Sequence, residues 1–127
     1  MTLTLSRRAF MAAGALLISS GFAAAHHGWT WAEAEQSELS GTIREIFIGN
    51  PHAVLQVEAS DGMWTVELAP PGRTRAAGFD ESVAKVGDTV VAIGNRSKDS
   101  SERRMKAVRI VVNGKTFDVY PDRVTPS

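Results

Sequence analysis

Short runs of alternating apolar and polar residues, each ended by turn residues, constrain the fold of this chain most strongly. Residues 54–59 alternate with period two, "SDG" at 60–62 marks a tight turn, and residues 63–68 continue as a second arm. Alternation of this kind puts successive side chains on opposite faces of a β-strand, and so short a connection joins antiparallel neighbours. These two runs therefore predict a β-hairpin.

The rest of the chain repeats this pattern with one interruption. Further strands are predicted at 39–48 and 89–93, and a last hairpin turns at Asn113 and Gly114, a favoured two-residue turn. A loop or short helix begins near Pro71, because two prolines do not fit a central strand. Residues 96–103 are charged and serine-rich and predict an exposed loop.

We predict an all-β fold, an OB-like antiparallel barrel of five to six strands with one short helix. A β-sandwich is the alternative, with few strands to build it.

The first 25 residues have the composition of an export signal. Arg7 and Arg8 precede an apolar stretch that ends in Ala23 and Ala25, an A-x-A cleavage pattern. "SRRAF" at 6–10 resembles a twin-arginine signal, and an ordinary secretory signal is the alternative. The apolar stretch is too short and too interrupted for a membrane anchor. We predict a signal peptide at 1–25, a barrel domain at 26–120 and a flexible tail at 121–127, with a periplasmic mature protein that keeps no stable membrane anchor.

Charge and cysteine content exclude several functions. Of the 14 basic and 14 acidic residues, cleavage removes two arginines and no acid, so 12 bases face 14 acids and the formal charge becomes −2. A nucleic acid partner needs a basic surface, so this balance predicts none. The chain has no cysteine. Thiolate metal sites, haem attached through thioethers and cysteine catalysis are therefore excluded.

The three histidines of the chain are the candidate metal ligands. Cleavage after Ala25 makes His26 the first residue, so its α-amine and imidazole can bind one metal ion together. His27 or His52 then supplies a further imidazole. In an alternative scheme the donors are the amine, the His27 imidazole and the amide nitrogen between them. Nitrogen donors in a tetragonal arrangement favour Cu(II), which predicts a copper site at His26, His27 and His52.

His52 stands in the sequence "GNPHA", where Pro51 fixes its own φ and biases Asn50 towards an extended conformation. This stiff corner places His52 at a strand end, a reasonable position for a ligand. The alternative interpretation is a solvated turn residue, and for His26 and His27 it is a flexible end without function.

Four carboxylates accompany these histidines: Glu33, Glu35, Glu38 and Glu67. We interpret them as a solvent-facing set, because acidic residues are seldom buried. In the alternative, one of them is an axial oxygen ligand or a hydrogen-bond partner behind a histidine ligand.

Nothing in the sequence has the arrangement of a catalytic centre: it has no nucleophile elbow and no acid pair at glycosidase spacing. The leading hypothesis is a periplasmic metal-binding protein that takes Cu(II) and works with a periplasmic protein partner. The main alternative is a non-enzymatic binding or assembly module without metal, whose barrel face engages a protein, lipid or small ligand. A redox role at the copper ion is a third.

Several landmarks together resemble a known group of small exported bacterial proteins, the domain-of-unknown-function family 6152. They are the paired histidines, "GTI" at 41–43, "NPH" at 50–52, the tryptophan-containing strand 64–67 that ends in glutamate, and "VGD" at 86–88. The resemblance extends over nearly all of residues 26–119. It implies a periplasmic location and a small β-fold, and it implies no established activity.

Overall fold

A computed structural model describes residues 27–125 of the chain. The chain divides into two units, 1–30 and 31–127. In the first, His27–Trp29 form a 3₁₀ helix, and the predicted signal peptide at 1–25 lies outside the described residues. Within the described range, no helix has both the length and the apolar character needed to cross a membrane.

The second unit consists of six strands, one short α-helix and a 3₁₀ turn. In chain order they are β1 (Ala32–Phe47), β2 (Val54–Ala59), β3 (Gly62–Glu67), α1 (Pro71–Ala76), β4 (Thr89–Ser97), β5 (Arg104–Val112), β6 (Lys115–Asp118) and the 3₁₀ turn Pro121–Arg123. The short helix follows the third strand and starts at Pro71, as predicted, since proline suits the first turn of a helix.

The strands form one sheet in the order β3-β2-β1-β4-β5-β6, with an additional pairing of β3 to β5 that closes it. This pairing is parallel and short: Thr65, Val66 and Glu67 face Arg104, Met105 and Lys106. All other strand pairs are antiparallel. The closed order 1-2-3-5-4 with a helix between β3 and β4 is that of an OB-like barrel. The prediction of an OB-like barrel is confirmed, and the sandwich alternative is wrong.

Alternation along the strands fills the barrel. In β2 the inward positions Leu55 and Val57 are fully buried, whereas Gln56 and Glu58 face outward. The core joins inward side chains of all six strands, among them Ile43, Leu55, Val57, Trp64, Val66, Val90, Ile110 and Phe117. Phe79, from the segment after α1, packs edge-on against Phe117 with ring centroids 5.5 Å apart. The apolar half of the period-two pattern therefore becomes the core.

Two glycines allow the backbones to approach closely where the sheet bends. A Cβ at Gly41 would lie 2.4 Å from the Glu58 carbonyl oxygen, and one at Gly94 would lie 2.1 Å from the Lys106 carbonyl oxygen. Gly94 also adjoins an irregularity in the β4–β5 register. Only glycine lets neighbouring strands come this near, which supports the strong curvature of a small barrel.

The predicted last hairpin is confirmed, with both turn residues at positive φ, 52° at Asn113 and 76° at Gly114. The segment predicted as a flexible tail begins with the 3₁₀ turn Pro121–Arg123. There the Arg123 carbonyl oxygen accepts a hydrogen bond of 2.6 Å from the Gln36 side chain of β1. Tyr120, just before the turn, donates its backbone N–H to the Val108 carbonyl oxygen of β5. The C-terminal segment therefore lies against the outer side of the barrel.

Candidate functional site

The loop between β1 and β2 holds His52 beside the end of β3. The backbone N–H of Ala53 donates to the Ala69 carbonyl oxygen at 2.9 Å, and Leu68 donates back to the Ala53 carbonyl oxygen at 2.8 Å. The Asn50–Pro51 peptide bond, which directly precedes His52, is cis. These paired hydrogen bonds continue the β2–β3 ladder past both strands, so the His52 side chain is placed against the last residue of β3.

That last residue, Glu67, carries a buried carboxylate. It lies on the outward side of β3, opposite the core residue Val66, yet only 5% of the residue is exposed. One carboxylate oxygen is 2.5 Å from Nε2 of His52. The other accepts a hydrogen bond from Nε of Arg104. Glu67 thus ties the β1–β2 loop to β5 across the seam of the barrel.

The partners of Glu67 fix the roles of the two histidine nitrogens. Arg104 is a permanent cation, so Glu67 faces it as a carboxylate, which can only accept hydrogen bonds. Nε2 of His52 is then the protonated nitrogen that donates to Glu67. In the neutral ring, Nδ1 keeps its lone pair as an acceptor or a metal ligand.

One further charged group, Lys106, acts on this carboxylate. Lys106, the register partner of Glu67 in the β3–β5 pairing, is buried. Burial lowers the pKa of Lys106, and the Glu67 charge opposes that change. Its Nζ is 5.7 Å from the ring centroid of Tyr120, whose pKa burial raises. Arg104 packs over Trp31 at 3.6 Å from guanidinium carbon to ring centroid. We name His52, Glu67, Arg104 and Lys106 the Glu67 cluster.

The described residues contain one complete candidate ligand of the predicted copper site, His52. His26 lies outside them, and His27 begins the 3₁₀ helix His27–Trp29, where only its backbone is described. Among residues 27–125 no group of three or more histidines and acidic residues is placed to hold a metal ion. The prediction of a site at His26, His27 and His52 therefore stays a prediction.

The four carboxylates differ in their surroundings. Glu33, Glu35 and Glu38 on β1 are exposed, which confirms their interpretation as solvent-facing. For Glu67 that interpretation is wrong, because only 5% of the residue is exposed and both oxygens of its carboxylate contact neighbouring side chains, His52 and Arg104. Sequence reasoning also missed Arg104 and Lys106. Their signal is the placing of two cations on alternate positions at the start of the mostly apolar strand "RMKAVRIVV", which carries a third cation at Arg109.

Comparison with known proteins assigns the chain to a family. The model of a family of unknown function, DUF6152, matches residues 14–106. The chain belongs to this family. No curated protein matches the sequence.

Two motifs that led to the DUF6152 resemblance meet in the Glu67 cluster. The "NPH" corner supplies His52, and the tryptophan-containing strand 64–67 supplies Glu67 at its end. Fifteen residues separate them in the chain, and a 2.5 Å hydrogen bond joins them in the fold. The matched range ends at Lys106, so it includes every member of the cluster.

Solved structures share the fold of this DUF6152 protein at low sequence identity. A mutant of TiaS that lacks its ZRD, in complex with agmatine, has a TM-score of 0.50 at 15% identity; the match covers 67% of this chain and 26% of that one. A chain of the Stn1–Ten1 complex of S. pombe also has a TM-score of 0.50, at 18% identity, over 63% of this chain and 59% of that one. This chain therefore spans about a quarter of the TiaS chain and less than two thirds of the other. At such identities the likeness shows the OB-like fold alone.

Proposed function

We propose that the protein is exported to the periplasm and there binds one transition-metal ion, Cu(II) as the first candidate. The observation that carries the proposal is the contact between Glu67 and Nε2 of His52. Histidines that bind metals in proteins usually donate their second ring N–H to a carboxylate or carbonyl group, which fixes the ring and raises its basicity. His52 already has this support, and a metal ion would bind at its Nδ1.

The chemistry of the remaining donors favours copper. The chain offers no thiolate, and the predicted donors are the α-amine and ring of His26 and the ring or amide of His27. Amine, amide and imidazole nitrogens suit Cu(II) better than other divalent ions of the first transition row. The proposal requires export with cleavage after Ala25, because only then does His26 carry a free α-amine.

The test is a Cu(II) titration of protein that begins at His26, followed by electron paramagnetic resonance. We expect one equivalent of Cu(II) with a nitrogen-rich spectrum, and far weaker binding by protein with an additional N-terminal methionine. His52→Ala should remove the coupling of one nitrogen. Glu67→Gln should weaken binding by about 10- to 100-fold, the usual effect of removing the partner behind a histidine ligand.

Glu58→Gln is the matched control for Glu67→Gln. Glu58 lies on the neighbouring strand and pairs with Nε of Arg44 at 2.8 Å, but both side chains are exposed. The same change of charge there should leave copper affinity unaltered. Equally weak binding by the processed and extended proteins would refute the amine ligand. An unchanged spectrum for His52→Ala, with the variant folded by circular dichroism, would remove His52 from the site.

A second candidate function is that of a non-enzymatic binding module that needs no metal. The observation in its favour is a polar cavity of about 330 Å³ at the end of the barrel where the β2–β3 turn meets the β4–β5 loop. In that case His52→Ala would leave ligand capture intact, whereas changes in the cavity would abolish it.

A further inference from the structure

The cavity at this end of the barrel contains charged groups of both signs and none of the Glu67 cluster. Three cations line it, Arg96, Lys98 and Arg103, together with three carboxylates, Glu33, Asp61 and Glu102. Its volume of about 330 Å³ lies at the small end of the range for ligand sites, about 300–1,000 Å³. The formal charges of the lining cancel, so a polyanion would meet as much repulsion as attraction.

Part of the cavity lining is held together by contacts among its own side chains. Trp64 reaches from the core, and its indole N–H donates to Asp61 at 2.8 Å. This hydrogen bond lowers the pKa of Asp61 and keeps it a carboxylate. Nε of Arg103 is 3.7 Å from the other oxygen of Asp61. Asp61 and Arg103 are therefore occupied with each other and with Trp64.

Arg96 has donors that the fold does not use. Its guanidinium carbon lies 4.9 Å from the ring centroid of Trp64, which holds the plane against the indole. Nη2 makes one long hydrogen bond of 3.3 Å to the Glu38 carbonyl oxygen. Nε is buried and finds no acceptor in the part of the chain that the structure describes. A guanidinium carries five N–H donors, so the Nη1 and Nη2 groups of Arg96 still have N–H donors for a carboxylate.

The same arrangement excludes ligands that bind by stacking. A sugar ring or a nucleobase needs an accessible aromatic face, but Trp64 is only 5% exposed and is covered by Arg96. What the cavity offers instead is a lining that includes a cation, Arg96, and an exposed acidic residue, Glu33 on β1.

We propose that this cavity binds a small zwitterion of the amino acid or dipeptide class, independently of any metal. Arg96 receives the carboxylate of the ligand. Glu33 receives its ammonium group, with Lys98 and Glu102 at the rim. Opposite charges on the ligand match opposite charges on the walls, which an anion or a cation alone cannot do.

The test is nuclear magnetic resonance of the ¹⁵N-labelled exported protein with glycine and glycylglycine as probes. We expect at least one of them to give a saturable shift of the Trp64 indole N–H signal, assigned with Trp64→Phe. Acetate and methylammonium, the two charged ends offered separately, should each bind at least about tenfold more weakly at equal ionic strength. No saturable shift with either zwitterion would overturn the proposal, and so would acetate binding as tightly as the zwitterion.

Two pairs of variants locate the site. Glu33→Gln should weaken zwitterion binding about tenfold and leave acetate binding unchanged, whereas Glu35→Gln, an exposed neighbour on β1 outside the cavity, should change neither. Arg96→Gln should abolish the binding of both, and Arg44→Gln is its matched control. Because Arg96 also packs on Trp64, thermal melting of each variant accompanies the titrations. Zwitterion binding that is equal in Glu33→Gln and Glu35→Gln would refute the assignment, as would an oligonucleotide that displaces the dipeptide.

Discussion

Replacing Glu67 by glutamine tests how the barrel seam is held together. Two donors converge on this carboxylate, Nε2 of His52 at 2.5 Å and Nε of Arg104. Glutamine keeps the shape of the side chain but has one oxygen acceptor in place of two. Its NH₂ group must therefore face the N–H of either His52 or Arg104, and that hydrogen bond is lost. The substitution also removes the negative charge of Glu67, which opposes the lowering of the Lys106 pKa by burial. The substitution therefore leaves cationic groups around a neutral side chain.

The size of the effect follows from the burial of each partner. Removing one member of a fully buried ion pair costs about 3–5 kcal/mol. Here the Glu67 side chain is 7% exposed, but those of His52 and Arg104 are 26% and 31% exposed, so water replaces part of what they lose. We expect the free energy of unfolding to fall by about 2 kcal/mol, within the 1.5–3 kcal/mol typical of a hydrogen bond to a charged group. For a domain of this size, that lowers the melting temperature by about 8–16 °C.

Urea denaturation of Glu67→Gln, Glu58→Gln and the unaltered protein measures this difference. Glu58 and Arg44 form an exposed pair, and losing such a pair costs about 0.2–1 kcal/mol. The double variant Glu67→Gln, Arg104→Gln should lose less than the sum of the two single changes, because both remove one contact. A loss for Glu67→Gln no larger than that for Glu58→Gln, with unchanged m-values, would refute the reasoning that the cluster stabilises the seam.

Three other predictions use single measurements. Gly94→Ala should abolish soluble expression or lower the free energy of unfolding by more than about 3 kcal/mol, measured by thermal melting, since its Cβ would meet the β5 backbone at 2.1 Å. Gly72→Ala in α1, with open space around it, should instead stabilise the protein by about 0.5–1 kcal/mol. Equal effects of the two substitutions would contradict this reasoning. The hydrogen bond from Arg109 lowers the pKa of Asp118 below 3.8, so the pair stabilises the fold above that pH and its contribution is lost as the pH falls. Asp118→Asn should therefore flatten the acid limb of a curve of stability against pH. An acid limb as steep as that of the unaltered protein would contradict this. Intact-mass analysis of exported protein should give a chain that begins at His26, and any other start would remove the amine ligand.

The strands could be predicted because their signal is local. Period-two alternation fixes which side chains of β2 face the core, and Asn113 with Gly114 fixes the last turn, within a few residues of chain. The helix start at Pro71 follows from local geometry in the same way. The barrel itself was predicted from the order of these elements and from the tendency of small sheets to leave no open edge.

A carboxylate behind a histidine was an alternative for Glu67 and three other acidic residues, but the sequence could not single out Glu67 or its cationic partners, because the contacts of the Glu67 cluster are not local. Glu67 meets Arg104 across 37 residues of chain, through a parallel pairing that no short-range pattern encodes. Alternation does place Glu67 outward, and the rarity of buried acidic residues predicted that it faces solvent. On this barrel an outward position is not always solvent-facing, because His52 from the β1–β2 loop and Arg104 from β5 contact the Glu67 carboxylate. A charged residue on an outward position therefore becomes buried when a distant segment covers it.

The β3–β5 seam links stability to the proposed function. Only three residue pairs close the barrel there, fewer than in any other strand pair, so the side chains that cross the seam carry a larger share of the closure. His52 is one of them, since Glu67 joins it to Arg104. A metal ion that binds the folded protein alone must stabilise it, by about 2.7 kcal/mol when its concentration is 100 times the dissociation constant. If His52 is a ligand, Cu(II) should therefore raise the melting temperature of the protein that begins at His26 and should raise it less in Glu67→Gln, where the ring has lost its support. A rise of equal size in both would place the copper away from His52 and leave the Glu67 cluster as a structural closure only.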